Sequence, residues 1–201
     1  MNKTDRQYFL SRALCVCAKA VRIITVPPVM AAALVLLLHG KCGAFSGMGL
    51  WTALSGLAVL PLLSYGIWFI VPALRAKGRK SQRTAAVICS CTGYLLSSVY
   101  CLTNGPDAIG TVAVLTYLFS GLMTAFLSYV CKLKSSGHAC GLSGPVMMAA
   151  VRVHPLFLTG YLLLIPVIWS SLKLKRHTWT ELLCGAAIPV LIQFILVLIF
   201  G

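Results

Sequence analysis

The sequence predicts an all-α polytopic membrane helical bundle with about six to seven transmembrane segments, built as a single membrane domain over residues 1–201. Hydrophobic residues make up 59% of the chain and charged residues only 10%, with a mean hydropathy of +0.93. Soluble domains carry about 25% charged residues. The apolar residues form continuous runs, whereas the strands of a membrane barrel alternate. Short basic clusters separate these runs, as in helical membrane proteins.

Seven apolar segments follow a basic N-terminal stretch. A spanning helix needs about 20 apolar residues at a rise of about 1.5 Å each. Residues 1–22 mix cations with apolar positions and predict a basic interfacial helix. The segments predicted to cross are 23–38, 48–74, 84–102, 109–131, 139–151, 155–172 and 182–200. Glycines inside them favour close helix packing; they are Gly56, Gly93, Gly121 and Gly185.

The basic residues predict the orientation. With seven crossings, every Lys and Arg except Lys41 and Arg152 lies on the side of the N-terminus. The positive-inside rule makes that side cytoplasmic. We therefore expect a multi-pass protein of the cell membrane whose N-terminus and basic loops are cytoplasmic and whose C-terminus is not. Segment 139–151 is the shortest, and without it the cations after residue 172 would change sides.

The net charge of +14 arises from 17 Lys and Arg against three Asp and Glu. Because the cations lie between apolar runs, the charge favours membrane lipids or phosphate substrates over nucleic acid. The nine cysteines lie mostly in or beside apolar runs, where Cys packs as a small hydrophobic residue. We expect neither a metal site nor a cofactor, and the oligomeric state stays open.

Three loops on the N-terminal side carry candidate phosphate ligands. They are residues 75–83, 132–138 and 170–181. Lys and Arg bind phosphate oxygens, which makes Lys77, Arg83 and Arg176 candidates. Ser136 and Gly137 precede an apolar helix, whose N-terminus offers N–H groups and a positive dipole end to an anion. The alternatives are plain positive-inside loops and a Ser cap.

Two histidines and a glutamate are the candidate catalytic residues. His177 and Glu181 are four residues apart at the start of a helix, so they share a face. A carboxylate on one imidazole nitrogen leaves the other as a nucleophile. His138 is then the candidate acid that protonates the leaving oxygen. The alternative for Glu181 is a partner for the helix dipole.

These residues resemble the type-2 phosphatidic acid phosphatase superfamily, whose motifs are K-x6-R-P, P-S-G-H and S-R-x5-H-x3-D. Residues 136–138 match the second motif, with Ser135 in place of its Pro. Residues 170–181 match the third at its spacing, with His177 at the His position. Ser171 replaces the motif Arg, and Glu181 replaces its Asp. Arg176 or Lys173 are candidates to replace that Arg.

The first motif is matched less well. Arg83 takes its Arg position, Thr84 stands for its Pro, and Lys77 is one residue too close. The resemblance covers residues 75–201 as a phosphatase-like core. It implies a phosphohistidine at His177, support of the leaving group by His138, and no metal.

The resulting expectation is a membrane-embedded, metal-independent phosphatase. It would hydrolyse a lipid phosphate or an isoprenyl (di)phosphate through a phosphohistidine intermediate. The alternative is a catalytically inactive phosphatase-like bundle that binds or translocates anionic lipids. A small-molecule transporter has less support, because no paired half-helix repeat is visible.

Overall fold

The computed structural model describes residues 3–104 and 107–200. The predicted basic stretch 1–22 therefore begins outside the described residues. The helices are α1 Lys3–Ile24, α2 Pro27–Cys42, α3 Met48–Leu54, a π-helical turn Ser55–Val59, α4 Leu60–Ile70, α5 Pro72–Ala76, α6 Gly78–Thr103, α7 Ala108–Tyr129, α8 Gly137–Arg152, a 3-10 helix Pro155–Leu163, α9 Leu164–Lys173 and α10 Trp179–Phe200. The described part of the chain contains no strand, and the all-α prediction is confirmed.

Six helical stretches in the described ranges are long and apolar enough to cross a membrane. They are Arg12–Cys42, Met48–Ile70, Lys80–Thr103, Ala108–Tyr129, Pro155–Lys173 and Trp179–Phe200. Each also exposes large apolar side chains, such as Leu36, Phe69, Leu96, Phe126, Ile165 and Ile199. Soluble monomers rarely expose large apolar patches. The length and the surface of these helices therefore fit a multi-pass membrane protein.

The helix α8 is shorter, with 16 residues, but it accompanies α2 from end to end. A side chain at Gly141 would collide with Pro27, where α2 begins. At the other end, the Cys42 thiol donates to the main-chain carbonyl of Arg152 over 3.4 Å. The two helices thus run parallel through the bundle. Because α8 is not among the six stretches long and apolar enough to cross a membrane, the seventh crossing predicted for residues 139–151 stays a prediction.

Close helix crossings occur at the glycines that the sequence singles out. The main chains of Gly56 and Gly93 touch, which brings the π-helical turn against α6. Gly121 packs against the Tyr94 ring, and Gly185 packs against the main chain of Ser136. A Cβ atom would not fit at Gly56, Gly93 or Gly185 without movement of main-chain atoms. Their predicted role in helix packing is confirmed.

The core lies around α7 and α8. The buried residues of α7 include 110–116, and those of α8 include 141–146. Ser143 of α8 donates to the main-chain carbonyl of Ala186 in α10 over 2.7 Å. That contact lies one turn before Pro189, whose ring removes a helical donor. A polar link therefore joins the two helices one turn before the proline of α10.

The three predicted loops meet at one end of the bundle. Arg83 at the start of α6 donates to Ser128 near the end of α7, at 2.7 Å. The Ser136 N–H, just before α8, donates to the Glu181 carbonyl in α10, at 3.0 Å. We call this end the basic end, and define it as residues 75–83, 130–138 and 171–181 with the last turn of α1.

Candidate functional site

The last loop of the chain presents His177 beside the first turn of α10. The Glu181 N–H lies 3.4 Å from Thr178 Oγ1, and the Thr178 N–H donates to Glu181 Oε2 at 3.2 Å. This reciprocal pair is a capping box, which satisfies two donors that a helix start leaves unpaired. It also fixes the position of the Glu181 carboxylate.

The same carboxylate oxygen accepts a hydrogen bond from His177. Nδ1 of His177 lies 2.9 Å from Glu181 Oε2, and both side chains are largely buried. Because a carboxylate only accepts, Nδ1 carries the proton. In the neutral ring Nε2 then holds a lone pair. This is the tautomer that nucleophilic catalysis by histidine needs.

A tight turn after α9 brings this histidine back to the bundle. Lys175 has a left-handed backbone with φ of 50°, a conformation seen where helices end. The Arg176 N–H then donates to the main-chain carbonyl of Ser171 at 2.9 Å. The turn therefore places Arg176 and His177 directly after the buried end of α9.

His138 is held by Arg22 at both ring nitrogens. The ring Nε2 lies 3.2 Å from the Arg22 carbonyl oxygen, and Nδ1 lies 3.1 Å from Arg22 Nη2. A carbonyl only accepts and a guanidinium only donates, so Nε2 carries the proton and Nδ1 accepts. The ring is therefore neutral in this arrangement. Arg22 also donates from Nη1 to Ser171 Oγ at 2.8 Å.

The first turn of α8 points at the same cluster. Ser136 is completely buried, and its Oγ caps the helix by accepting from the Ala139 N–H at 3.4 Å. Its own N–H donates to the Glu181 carbonyl. Gly137 and His138 follow as the first helical residues, whose N–H groups have no acceptor within a helix. The Ser136 side chain therefore serves as the cap of α8, and a phosphate role of Ser136 and Gly137 would depend on the helix N-terminus.

The electrostatics of the site favour an anion and neutral histidines. Burial lowers the pKa of His177, and the Arg22 and Arg83 guanidiniums add to this effect, while Glu181 opposes it. Burial and the Arg22 guanidinium also lower the pKa of His138, which precedes the apolar stretch 139–151. Arg176 acts on His138 in the same direction. The guanidiniums of Arg22, Arg83 and Arg176 thus favour the neutral form of the two imidazoles. Glu181 is paired with one of these rings, that of His177.

Lys77 lies apart from this cluster, on a groove of about 630 Å³ beside α5 and α6. Lys77 and Lys80 line this groove, and its apolar lining includes Leu74 and Ile88. Arg83 belongs to the same helix but reaches the other way, to Ser128. The groove therefore lies partly within the basic end but is not part of the histidine cluster.

The structure brings together most of the candidate residues. His138, His177, Glu181, Arg83 and Arg176 interact at the basic end, and Ser136 and Gly137 form the adjoining helix start. Their catalytic and phosphate-binding roles stay predictions.

Arg22 and Thr178 were not among the candidates. The T-x-x-E pattern before an apolar run could have identified the capping box. Motif spacing could not identify Arg22, because the residues that it contacts are separated from it in sequence by more than half of the chain length. No protein-family model, curated protein or solved structure matches this chain.

Proposed function

We propose that this protein is a metal-independent phosphatase that hydrolyses a lipid phosphate or an isoprenyl (di)phosphate through a phosphohistidine at His177. The observation that carries the proposal is the 2.9 Å contact between His177 Nδ1 and Glu181 Oε2 at the basic end. It leaves Nε2 as the nucleophile in a site where guanidiniums attract phosphate. The resemblance of residues 136–138 and 170–181 to the type-2 phosphatidic acid phosphatases supports the same chemistry.

The proposed reaction has two displacements. In the first, the His177 Nε2 lone pair forms a bond to phosphorus as the bond from phosphorus to the lipid oxygen breaks. The leaving oxygen takes a proton, which a phosphate monoester monoanion carries itself. In the second, water attacks phosphorus, the N–P bond returns its electron pair to Nε2, and dihydrogen phosphate leaves. Glu181 stabilises the positive charge on the ring between the two steps.

His138 has two possible parts in this reaction. As the acid of the first step it would have to take up a proton and release Arg22, which burial and the guanidinium oppose. As a positioning residue it holds Arg22 through both ring nitrogens. An acid role predicts that His138→Ala harms substrates with poor leaving groups most. A positioning role predicts an equal loss for all substrates, because phosphate binding itself weakens.

A lipid is the favoured substrate because of the groove beside α5 and α6. Lys77 and Lys80 would attract the lipid headgroup, and Leu74 and Ile88 would contact the tail, before the phosphate moves to the histidine cluster at the same end of the bundle. By the positive-inside rule, the cations of this end favour a position at the cytoplasmic face of the cell membrane. The same groove also favours the alternative, a silent bundle that binds or translocates anionic lipid without hydrolysis.

The test is phosphate release by the purified protein from a panel of lipid phosphates in mixed micelles. Phosphatidic acid, an isoprenyl diphosphate and phosphatidylglycerol phosphate represent the possible headgroups. We expect turnover that orthovanadate inhibits and that His177→Ala abolishes. The matched control is His39→Gln, which changes an exposed histidine at the opposite end of α2. A wild type without turnover that still binds these lipids saturably would favour the silent bundle.

A further inference from the structure

The N-terminal helix α1 contributes a side chain to the histidine cluster. Arg22, in the last turn of α1, contacts Ser171 of α9 and His138 of α8 at 2.8 Å and 3.1 Å. Its charge also acts on His177. An arginine that served only to set topology would point to lipid headgroups. Arg22 instead reaches inward, to a serine that is completely buried.

The contacts fix both the main chain and the side chain of Arg22. His138 accepts from Nη2 and donates to the Arg22 carbonyl, so one ring holds both ends of the residue. Ser171 holds Nη1. A guanidinium is a planar fork that can bind two oxygens of a phosphate, and less freedom is lost when its position is already fixed. Lysine offers a point charge without this fork.

We propose that Arg22 is a phosphate-binding residue of this site, supplied from α1 to the place where Ser171 leaves no cation of its own. The inference rests on the proposed function, because the anion it binds is the phosphoryl group of the substrate. It deepens that proposal in one respect, because it makes α1 part of the active site. The third phosphatase motif carries Arg at the position of Ser171, so the same charge reaches the site from another helix.

The test moves the cation back to α9. Arg22→Ala should lower kcat/KM roughly 10²- to 10³-fold, the loss typical for one preorganised charge donor. The double variant Arg22→Ala/Ser171→Arg restores a guanidinium at the place that Arg22 occupied. Its kcat/KM should be at least roughly tenfold higher than that of Arg22→Ala. Arg22→Lys should remain impaired, because it keeps the charge but lacks the fork. Arg12→Gln is the matched control: it removes an exposed cation from the same helix and should leave kcat/KM unchanged.

A second readout does not depend on turnover. Orthovanadate should raise the melting temperature of the wild type, and Arg22→Ala should weaken its apparent affinity on the order of 10- to 100-fold. Equal kcat/KM and equal vanadate protection in the wild type and Arg22→Ala would overturn the inference, as would a double variant no better than Arg22→Ala. A wild type that binds vanadate through Arg22 but releases no phosphate would refute the phosphatase and support the anion site. If Arg22→Ala fails to fold, Arg22→Lys and the double variant decide the question in the same way.

Discussion

One oxygen of Glu181 binds His177 and caps its own helix at the same time. Oε2 lies 2.9 Å from His177 Nδ1 and 3.2 Å from the Thr178 N–H. A capping box holds the carboxylate of its Glu against the start of the helix. The histidine ring is therefore oriented by a residue in the first turn of α10.

Replacing Glu181 with Gln should separate these two functions. The amide oxygen can still accept from the ring and from the helix N–H, but it cannot offset positive charge on a phosphorylated imidazole. We expect kcat to fall on the order of 10²- to 10⁴-fold, as for other carboxylates that orient a catalytic His. Thr178→Ala is the matched control, since it removes the other half of the box. It should lower the free energy of unfolding by about 1 kcal/mol and leave kcat within twofold.

The acid limb of the pH–rate profile should lie below pH 6.5, the ordinary pKa of His. The nucleophile must be neutral, and burial lowers the pKa of His177, so activity persists on acidification until pH falls through that lowered value. Glu181 raises the pKa of His177 and Arg83 lowers it. Glu181→Gln should thus move the limb to lower pH, and Arg83→Gln should move it to higher pH. Shifts in the opposite directions would contradict the assignment of His177 as the titrating group.

Gly185→Ala should disable the site without touching a catalytic residue. A Cβ atom there would collide with the Ser136 carbonyl oxygen and lie 3.0 Å from the Ser136 nitrogen. The start of α8 would have to move away from α10, which would stretch the bond from the Ser136 N–H to Glu181. Overpacking of this kind destabilises by about 1–3 kcal/mol. Gly66→Ala is the control, since nothing lies within 4 Å of its added Cβ. A similar loss of activity in Gly66→Ala would contradict the explanation that activity depends on the close contact between α10 and the start of α8.

Activity should survive a metal chelator. Glu181 is the carboxylate of the basic end, and its Oε2 already accepts from His177 and Thr178. A magnesium site uses one or two carboxylates besides substrate oxygens. Phosphate release in excess EDTA should match the untreated rate. Loss of turnover that magnesium restores would count against the phosphohistidine mechanism.

The N-terminus should be cytoplasmic and the C-terminus should lie on the other side. The reason is the concentration of cations at the basic end together with the seven predicted crossings, α8 among them. Reporter fusions at each terminus would measure this directly. Both termini in the cytoplasm would mean an even number of crossings and would place the three loops on two faces.

The sequence predicted the helices better than the contacts between them. Apolar runs mark helices because length and hydropathy are local properties, and the spacing of His177 and Glu181 is a local pairing within one turn. The role of the Ser136 side chain as a cap was among the alternatives, since Ser is a common cap. Arg22 could not be assigned, because its partner His138 lies 116 positions away. Such a contact depends on how α1 packs against the other helices, and a local sequence pattern does not predict that packing.

The distance in sequence between Arg22 and Ser171, 149 positions, has a consequence for biogenesis. Helices of a membrane protein leave the ribosome in order, so α1 is made first and waits for α8 and α9 before Arg22 meets its partners. His177 and Glu181 arrive later still. A nascent chain halted before α10 therefore carries Arg22, His138 and His177 but lacks Glu181, so the proposed chemistry would have to wait until α10 has been made.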